Sequence, residues 1–241
     1  MAPVDRVRAF LAPNGDSGAN QGWNDAWKEE LTPWDSGEPQ PALLSILEEA
    51  DSLVPKKGQA LIAGCGRGYD PLVFAERGMD ALGIDISEEA VQQANKWLES
   101  QANWPARNRV RFEVRDFFTL DLACDLAYDY TFFCALPPSW RTRWAETYAR
   151  IIRPGGILIA VVYPIRPDAG PEGPPFKLAP ESYKELLSDA FELQWEGVPA
   201  RQKDTHVGVE QVQIWSRKSG VSSVYPNDQT GAINLTACLY R

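Results

Sequence analysis

Apolar and polar residues follow one another along the chain in a pattern that predicts strands and helices in turn. Short apolar runs bounded by turn residues predict strands, whereas apolar residues spaced three or four positions apart predict helices. The predicted order is strand 59–63, helix 70–77, strand 81–85, helix 87–100, strand 110–115, strand 128–134, helix 139–152 and strand 157–163. Such alternation favours a mostly parallel sheet with helices on both faces.

Flanking segments extend this pattern at both ends. After an irregular start, residues 41–54 show helical spacing up to Pro55. Further on, residues 181–190 predict a helix, and residues 191–198 and 209–217 predict two strands that close the sheet as a hairpin. Between these parts, the Pro- and Gly-rich segment 164–180 predicts a stiff loop.

Two helix ends have recognisable signals. Ser87 is expected to cap helix 87–100, because its hydroxyl can accept an unpaired backbone N–H group. The sequence Arg153-Pro-Gly-Gly is expected to end helix 139–152, since proline cannot continue a helix and glycine supplies the turn.

Length and composition favour one domain. The 241 residues, 44% of them hydrophobic, can bury one sizeable core, so we expect a single domain over 1–241. Within it, residues 1–40 would form an N-terminal aromatic cover and residues 219–241 a docked tail. The net charge of −9 would repel a phosphate backbone, so nucleic acid is not expected as a partner.

Cellular context follows from what the sequence contains. The longest apolar run, 157–163, is too short to cross a bilayer, so we expect no membrane association and a cytoplasmic protein. Four cysteines without a C-x-x-C pair predict neither a metal site nor a disulfide framework. The oligomeric state stays open, and a monomer is favoured.

The segment from Gln59 to Asp85 is typical of a nucleoside-cofactor pocket. Gly64 and the glycines at 66 and 68 let the backbone turn sharply beside a ligand, and the following helix points unpaired N–H groups at it. Asp85 would then meet ribose hydroxyls. A dinucleotide fingerprint needs a small residue where Tyr69 stands, so NAD is disfavoured. The alternative is an ordinary tight connection between strand and helix.

Three tryptophans form a second group of candidates. Trp23 and Trp27 are four residues apart on one possible helical face, and Trp34 follows closely. An aromatic box attracts a positively charged ligand and excludes water. Taken alone, however, these rings are better explained as packing that holds the N-terminal segment on the core.

Further candidates stand after two strands. Asp116 and Phe117 could bracket an adenine by a hydrogen bond and ring contact, although an aspartate there is often a turn residue. Tyr130 leaves a strand at the sheet edge where ligands bind in open α/β sheets, whereas Phe132 and Phe133 are expected in the core.

Several motifs in order resemble one family. They are TPWDSG at 32–37, GCGRGYD at 64–70, GIDIS at 83–87, RDFF at 115–118, DYTFFCALPP at 129–138, RPGG at 153–156 followed by a strand that ends at Tyr163-Pro164, and GPPF at 173–176. Together they resemble the thiopurine S-methyltransferase family, and within it the plant and fungal thiol and halide methyltransferases, over about residues 20–217. The resemblance implies a class I methyltransferase fold: Rossmann-like, with a mostly parallel seven-stranded sheet, helices on both faces and a C-terminal antiparallel hairpin.

The resemblance also implies roles for individual residues. S-adenosyl-L-methionine would be the cofactor, contacted by Trp23, Trp27, Trp34, Gly64, Asp85, Asp116, Phe117 and Tyr130. Tyr163 would be the catalytic residue, facing the transferred methyl group, and the GPPF loop would wall the pocket of a small-molecule acceptor.

The implied reaction is an SN2 transfer of the methyl group to sulfur or to a halide. A small thiol, bisulfide or thiocyanate could react without a dedicated base, because a free thiol with a pKa of about 8.5 is partly ionised near neutrality. His206, the chain's one histidine, is expected to be exposed.

Two other functions stay open. A methyltransferase acting on oxygen or nitrogen of a small metabolite would need a clearer base. A non-catalytic binding module of the same fold is disfavoured by the intact glycines and Asp85.

Overall fold

The structure, a computed structural model, describes residues 2–11, 15–166 and 170–220, with the backbone alone for residues 15–20. Its strands are β1 (Gln59–Ala63), β2 (Asp80–Asp85), β3 (Val110–Val114), β4 (Cys124–Tyr130), β5 (Ile152–Val162), β6 (Phe191–Gly197) and β7 (Gln211–Arg217). The helices are α1 (Pro3–Leu11), α2 (Gly15–Lys28), α3 (Pro41–Glu49), α4 (Tyr69–Glu76), α5 (Glu88–Ser100), α6 (Arg141–Ile151) and α7 (Pro180–Leu187).

In the described residues the seven strands form one sheet in the order β3-β2-β1-β4-β5-β7-β6. All neighbouring strands run parallel except β7, which is antiparallel to both β5 and β6. The predicted class I methyltransferase architecture, with its C-terminal hairpin, is therefore confirmed. Strand order reverses direction between β1 and β4, and ligands of open α/β sheets bind outside the carboxyl ends of strands at such a point.

Two apolar clusters show that the sheet is covered on both faces. Along β1, Ile62 belongs to one cluster and Leu61 to the other, as the period of two in a strand requires. The first cluster includes Leu43 of α3 and Phe74 of α4, and the second includes Trp144 of α6. The sheet is thus the middle of three layers.

The sequence predicted an irregular start to the chain, and this prediction is wrong. Residues Pro3–Leu11 form α1, in which proline takes a first-turn position that suits it. Val4, Val7 and Leu11 lie at helical spacing, and Val7 is buried. This spacing could have predicted the helix.

β4 covers residues 124–130 and not the predicted 128–134. Thr131 adopts a φ of 57°, which ends the strand, and residues 133–135 form a 3₁₀ turn. The apolar residues at the end of the predicted strand 128–134 therefore belong partly to this turn and not to β4.

The predicted helix stop before Arg153-Pro-Gly-Gly is confirmed to within one residue, because α6 ends at Ile151 with Ile152 as its C-cap, but the turn expected there is part of a strand. β5 begins at Ile152, directly after α6, and these residues form a bulge between the pairs Cys124–Ile152 and Leu126–Ile157. Gly155 has a φ of 78°, a value that glycine adopts readily. Ser87 is confirmed as the cap of α5, since its hydroxyl accepts the Ala90 N–H at 3.1 Å.

The docked tail expected at 219–241 lies outside the described residues from 221 onward, and the single domain over 1–241 stays a prediction. Within the residues that are described, no helix combines the length and the apolar character needed to cross a bilayer.

Candidate active site

A cavity of about 690 Å³ opens at the carboxyl edge of the sheet. Its walls include residues that directly follow β1, β2, β3, β4 and β5, so it lies at the reversal of strand order. Side chains of α1 and α2 cover it. The volume falls in the range of small-molecule sites, roughly 300 to 1,000 Å³.

The cavity brings together most of the site residues that the sequence singled out. Its lining includes Trp23, Trp27, Trp34, Gly64, Asp85, Asp116, Phe117 and Tyr163. Tyr130 is not among the described lining residues. Its ring lies behind that of Tyr163, with the two centroids 6.4 Å apart, and its hydroxyl is 3.4 Å from Lys203 Nζ.

The glycine-rich turn makes room where two aromatic rings approach it. Gly64 and Gly66 have φ values of 59° and 52°, which side chains rarely allow. A Cβ atom on Gly64 would come within 2.8 Å of Phe132, and one on Gly66 within 3.2 Å of Trp27. The turn therefore needs glycine at both positions, and since both glycines line the cavity, it offers backbone without side chains to a ligand there.

Asp85 stands at the end of β2 and faces this turn. Its Oδ2 accepts the Gly66 N–H at 3.0 Å, and its Oδ1 accepts the Ser87 N–H at 2.9 Å. Burial raises the pKa of the carboxyl, and these backbone hydrogen bonds oppose the rise. Each carboxylate oxygen can accept a second hydrogen bond, so Asp85 has capacity for two adjacent hydroxyls such as those of a ribose.

The three tryptophans form one aromatic group at the cavity. The ring of Trp34 meets Trp23 and Trp27 edge to face, with centroids 5.4 and 6.2 Å apart. Trp27 is buried, whereas the other two are partly exposed. The group combines ring-to-ring packing with a surface that faces the cavity, so packing explains part of it and an aromatic box for a cation stays a prediction.

Polar contacts fix the N-terminal cover to the side of the cavity that contains Asp85. Asn24 Oδ1 accepts from Ser87 Oγ and from the Glu89 N–H, both at 3.0 Å. Asp35, next to Trp34, pairs with Arg67 of the glycine-rich turn at 2.5 Å. The cover is thereby attached to the two loops that hold Asp85 and the glycines.

Asp116 and Phe117 follow β3 at the same edge. Asp116 Oδ1 accepts the Phe118 N–H at 2.8 Å and so caps a short 3₁₀ turn, as a turn aspartate would. Phe117 is 4% exposed, and its ring packs on Phe132, with centroids 5.0 Å apart. Phe132, expected in the core, also lines the cavity, whereas Phe133 is buried as expected.

Several residues that line the cavity were not predicted from the sequence. The missed lining residues are Val4, Val7, Arg8, Phe118, Trp140, Arg166 and Lys177. Arg8 Nε donates to the carbonyl of Pro174 at 3.1 Å, which joins α1 to the GPPF loop. The spacing of Val4 and Val7 could have predicted that one face of α1 is apolar. Nothing in the sequence around Arg166 and Lys177 indicated that they line the cavity.

Tyr163 lines the cavity directly after β5. Burial raises the pKa of its hydroxyl, and the charge of Arg166 opposes the rise. His206 lies behind it and is 4% exposed, so the expectation of an exposed histidine is wrong. A 3₁₀ turn at 204–206 folds the imidazole inward, where its Nδ1 is 2.6 Å from Glu210 Oε2.

Comparison with known proteins gives a consistent picture. Residues 18–219 match the family model described as thiopurine S-methyltransferase. A thiocyanate methyltransferase 1 of Arabidopsis thaliana is 36% identical over 185 residues, which cover 76% of this chain and 77% of that protein. A probable thiol methyltransferase 2 of the same plant is 34% identical over 204 residues, covering 82% and 85%.

Among solved structures, the fold is similar to 1,6-didemethyltoxoflavin-N1-methyltransferase of Burkholderia thailandensis. The TM-score is 0.61 at 20% identity, and the match covers 91% of each chain. That structure contains S-adenosylhomocysteine and 1,6-didemethyltoxoflavin.

Proposed function

The chain belongs to the thiopurine S-methyltransferase family, and from that premise we propose that it methylates the sulfur of a small acceptor, or a halide, in the cavity at the sheet edge. Family membership makes it an S-adenosylmethionine-dependent methyltransferase. The acceptor and the roles of single residues are the parts that we propose.

One observation carries the proposal. A single cavity is lined at one end by the glycine-rich turn, Asp85 and the tryptophans, and at the other by Tyr163 and the GPPF loop. Two molecules bound at these ends would lie next to each other. Such positioning can lower a barrier by roughly 7 to 11 kcal/mol in favourable cases.

In the cofactor half, the proposed roles follow from the contacts. When bound, S-adenosylmethionine supplies a methyl group carried on a positively charged sulfur. Asp85 would accept hydrogen bonds from its ribose, and Phe117 would contact its adenine. The rings of Trp23, Trp27 and Trp34 would attract the cation and keep water away.

In the acceptor half, the charges favour an anion. Arg8, Arg166 and Lys177 line this end with positive groups and Glu172 with one negative group, so the positive charges outnumber the negative. The described lining residues include no histidine, which suits acceptors such as thiocyanate, bisulfide or a halide that need no base at neutral pH. Tyr163 would form the wall that holds the acceptor against the methyl group.

A second candidate acceptor is an aromatic thiol. Phe118 and Trp140 line the cavity with ring centroids 5.3 Å apart, and Pro174 and Pro175 add apolar surface. A small inorganic anion would leave most of this surface without contact. Transfer to oxygen or nitrogen has no comparable support, because it calls for a base.

The test is a product screen by mass spectrometry. The purified protein would receive isotopically methyl-labelled S-adenosylmethionine with thiocyanate, bisulfide, iodide or an aromatic thiol. We expect labelled methyl on sulfur or iodide, and about 10- to 100-fold less with Asp85→Ala at low cofactor concentration. Cofactor binding by calorimetry without any methylated product would instead favour a non-catalytic module.

A further inference from the structure

The one histidine of the chain lies face to face with the tyrosine at the end of β5. The ring centroids of His206 and Tyr163 are 3.7 Å apart, with planes inclined by 20°. His206 is buried and does not line the cavity, whereas Tyr163 does. A stacked neighbour restricts a tyrosine ring to one plane, so the histidine limits how Tyr163 presents itself to the cavity.

The imidazole is itself held in place by Glu210. Its Nδ1 lies 2.6 Å from Glu210 Oε2, and the Glu210 side chain is inaccessible to solvent. The same carboxylate accepts from Gln40 Nε2 at 3.0 Å and from Gln202 Nε2 at 3.1 Å. A buried carboxylate with three such partners has little freedom to turn, and the histidine ring shares this restriction.

These contacts also reach the cofactor half of the site. The backbone N–H of Gln40 donates to Asp70 Oδ1 at 2.8 Å, and Asp70 is the second residue of α4, directly after the glycine-rich turn. On the other side, the Ile165 N–H donates to the Val209 carbonyl at 2.8 Å. Hydrogen bonds thus run from Asp70 through Gln40 to Glu210, and Val209, the chain neighbour of Glu210, is bonded to the backbone beside Tyr163.

We propose that His206, held by Glu210, is a positioning residue for methyl transfer: it fixes the Tyr163 ring and through it the wall against which the acceptor lies. The inference rests on the proposed function, because it concerns the same cavity. A purely structural pair would stabilise the fold without affecting the acceptor. The two possibilities therefore differ in what the acceptor kinetics show.

Two substitutions of His206 separate its contacts. His206→Asn keeps a donor near the position of Nδ1 but removes the ring, whereas His206→Phe keeps the ring and removes the donor. With thiocyanate, or the acceptor turned over fastest in the screen, we expect His206→Asn to raise the acceptor KM and lower kcat/KM by about 10- to 100-fold. The Kd for S-adenosylmethionine should not change. His206→Phe, which keeps the stacked ring without the Glu210 contact, should recover part of the lost kcat/KM, and equal losses in both variants would overturn the proposal.

A double-mutant cycle with Tyr163→Ala tests the route of the effect. If His206 acts through Tyr163, His206→Asn should cost nothing further once the tyrosine is absent. Additive losses would show that the histidine acts elsewhere, and would overturn the proposal. Glu210→Gln is the second variant should His206→Asn fail to fold. It should lower kcat/KM in the same direction, and unchanged acceptor kinetics would contradict the proposed role.

The wild-type protein separates this inference from the proposed function. A wild type that binds S-adenosylmethionine and methylates no acceptor contradicts the proposed function before any variant is measured. An active wild type whose kcat/KM is unchanged by His206→Asn contradicts the positioning role alone.

Discussion

Two aspartates at the carboxyl edge of the sheet have opposite surroundings. Asp85 ends β2, lines the cavity and accepts hydrogen bonds from two backbone N–H groups. Asp129, near the end of β4, is 1% exposed and accepts from the Phe133 N–H at 3.1 Å, Trp144 Nε1 at 2.7 Å and Tyr148 OH at 3.1 Å. One carboxylate faces a ligand site, and the other joins β4 to α6.

The difference shows that position and pKa alone do not identify a binding residue. Both strands neighbour β1, and burial raises the pKa of both carboxyls. The partners distinguish them. Side-chain donors around Asp129 use its oxygens within the core, whereas the backbone donors of Asp85 leave room for a ligand on the cavity side.

The largest expected effect comes from removing the core carboxylate. Asp129→Ala would leave three buried donors without an acceptor, each costing roughly 1 to 3 kcal/mol, so we expect a loss of at least about 3 kcal/mol in the free energy of unfolding. Urea denaturation measures it. Asp85→Ala is the matched control and should lose less stability, because water in the cavity can reach its former partners. An equal loss in the two variants would break the comparison.

For cofactor affinity the order of the two aspartates should be reversed, with the larger effect at Asp85. Asp85→Ala is expected to weaken binding of S-adenosylmethionine by about 10- to 100-fold, since hydrogen bonds to a charged group contribute roughly 1.5 to 3 kcal/mol. Calorimetry on the folded variant checks this. Unchanged affinity would mean that Asp85 serves the glycine-rich turn and not the ligand.

The pH dependence of stability sharpens the account of Asp129. Burial raises its pKa from 3.8 to about 6, against the opposing hydrogen bonds. Since the folded state then binds this proton more tightly than the unfolded state, the contribution is present below about pH 4 and is lost as the pH rises through 6. Its size is on the order of 1 to 3 kcal/mol.

Comparison with Asp129→Asn isolates this titration. Across pH 4 to 7 the free energy of unfolding of the wild type, measured relative to the variant, should fall. Asp70, whose pKa burial also raises to about 6, is present in both proteins and cancels. A difference that stays constant with pH would contradict the assignment.

The smallest expected effect concerns two tryptophans, one that lines the cavity and one that is not among its described lining residues. Trp34→Ala should lower kcat/KM by about 2- to 30-fold, as a cation–π contribution of roughly 0.5 to 2 kcal/mol implies. The matched control is Trp104→Ala, whose ring packs on Trp97 away from the described cavity lining. It should affect melting temperature more than turnover. The reverse result would restore a packing role for Trp34.

Much of this protein is determined locally along the chain. Apolar periods indicated the order of strands and helices, because burial on two faces or on one side imposes these periods directly. The glycine-rich turn and Asp85 lie within 27 consecutive residues, 59–85, and a strand, turn, helix and strand in succession can place them together without distant help. The ordered motifs indicated the family for the same reason, since each is a short local stretch.

Tertiary packing decided the rest. The proposed acceptor half combines Val7, Phe118, Tyr163 and Pro174, which approach one another only when four separate segments meet at one sheet edge. A left-handed Thr131 ends β4 early, so the side chains after it no longer alternate as a strand would predict. Tyr130, the last residue of β4, pairs with Val161 of β5, and its ring lies behind that of Tyr163. The burial of His206 and the separate roles of Asp85 and Asp129 likewise depend on which partners the folded chain brings near, and spacing along a sequence does not contain that information.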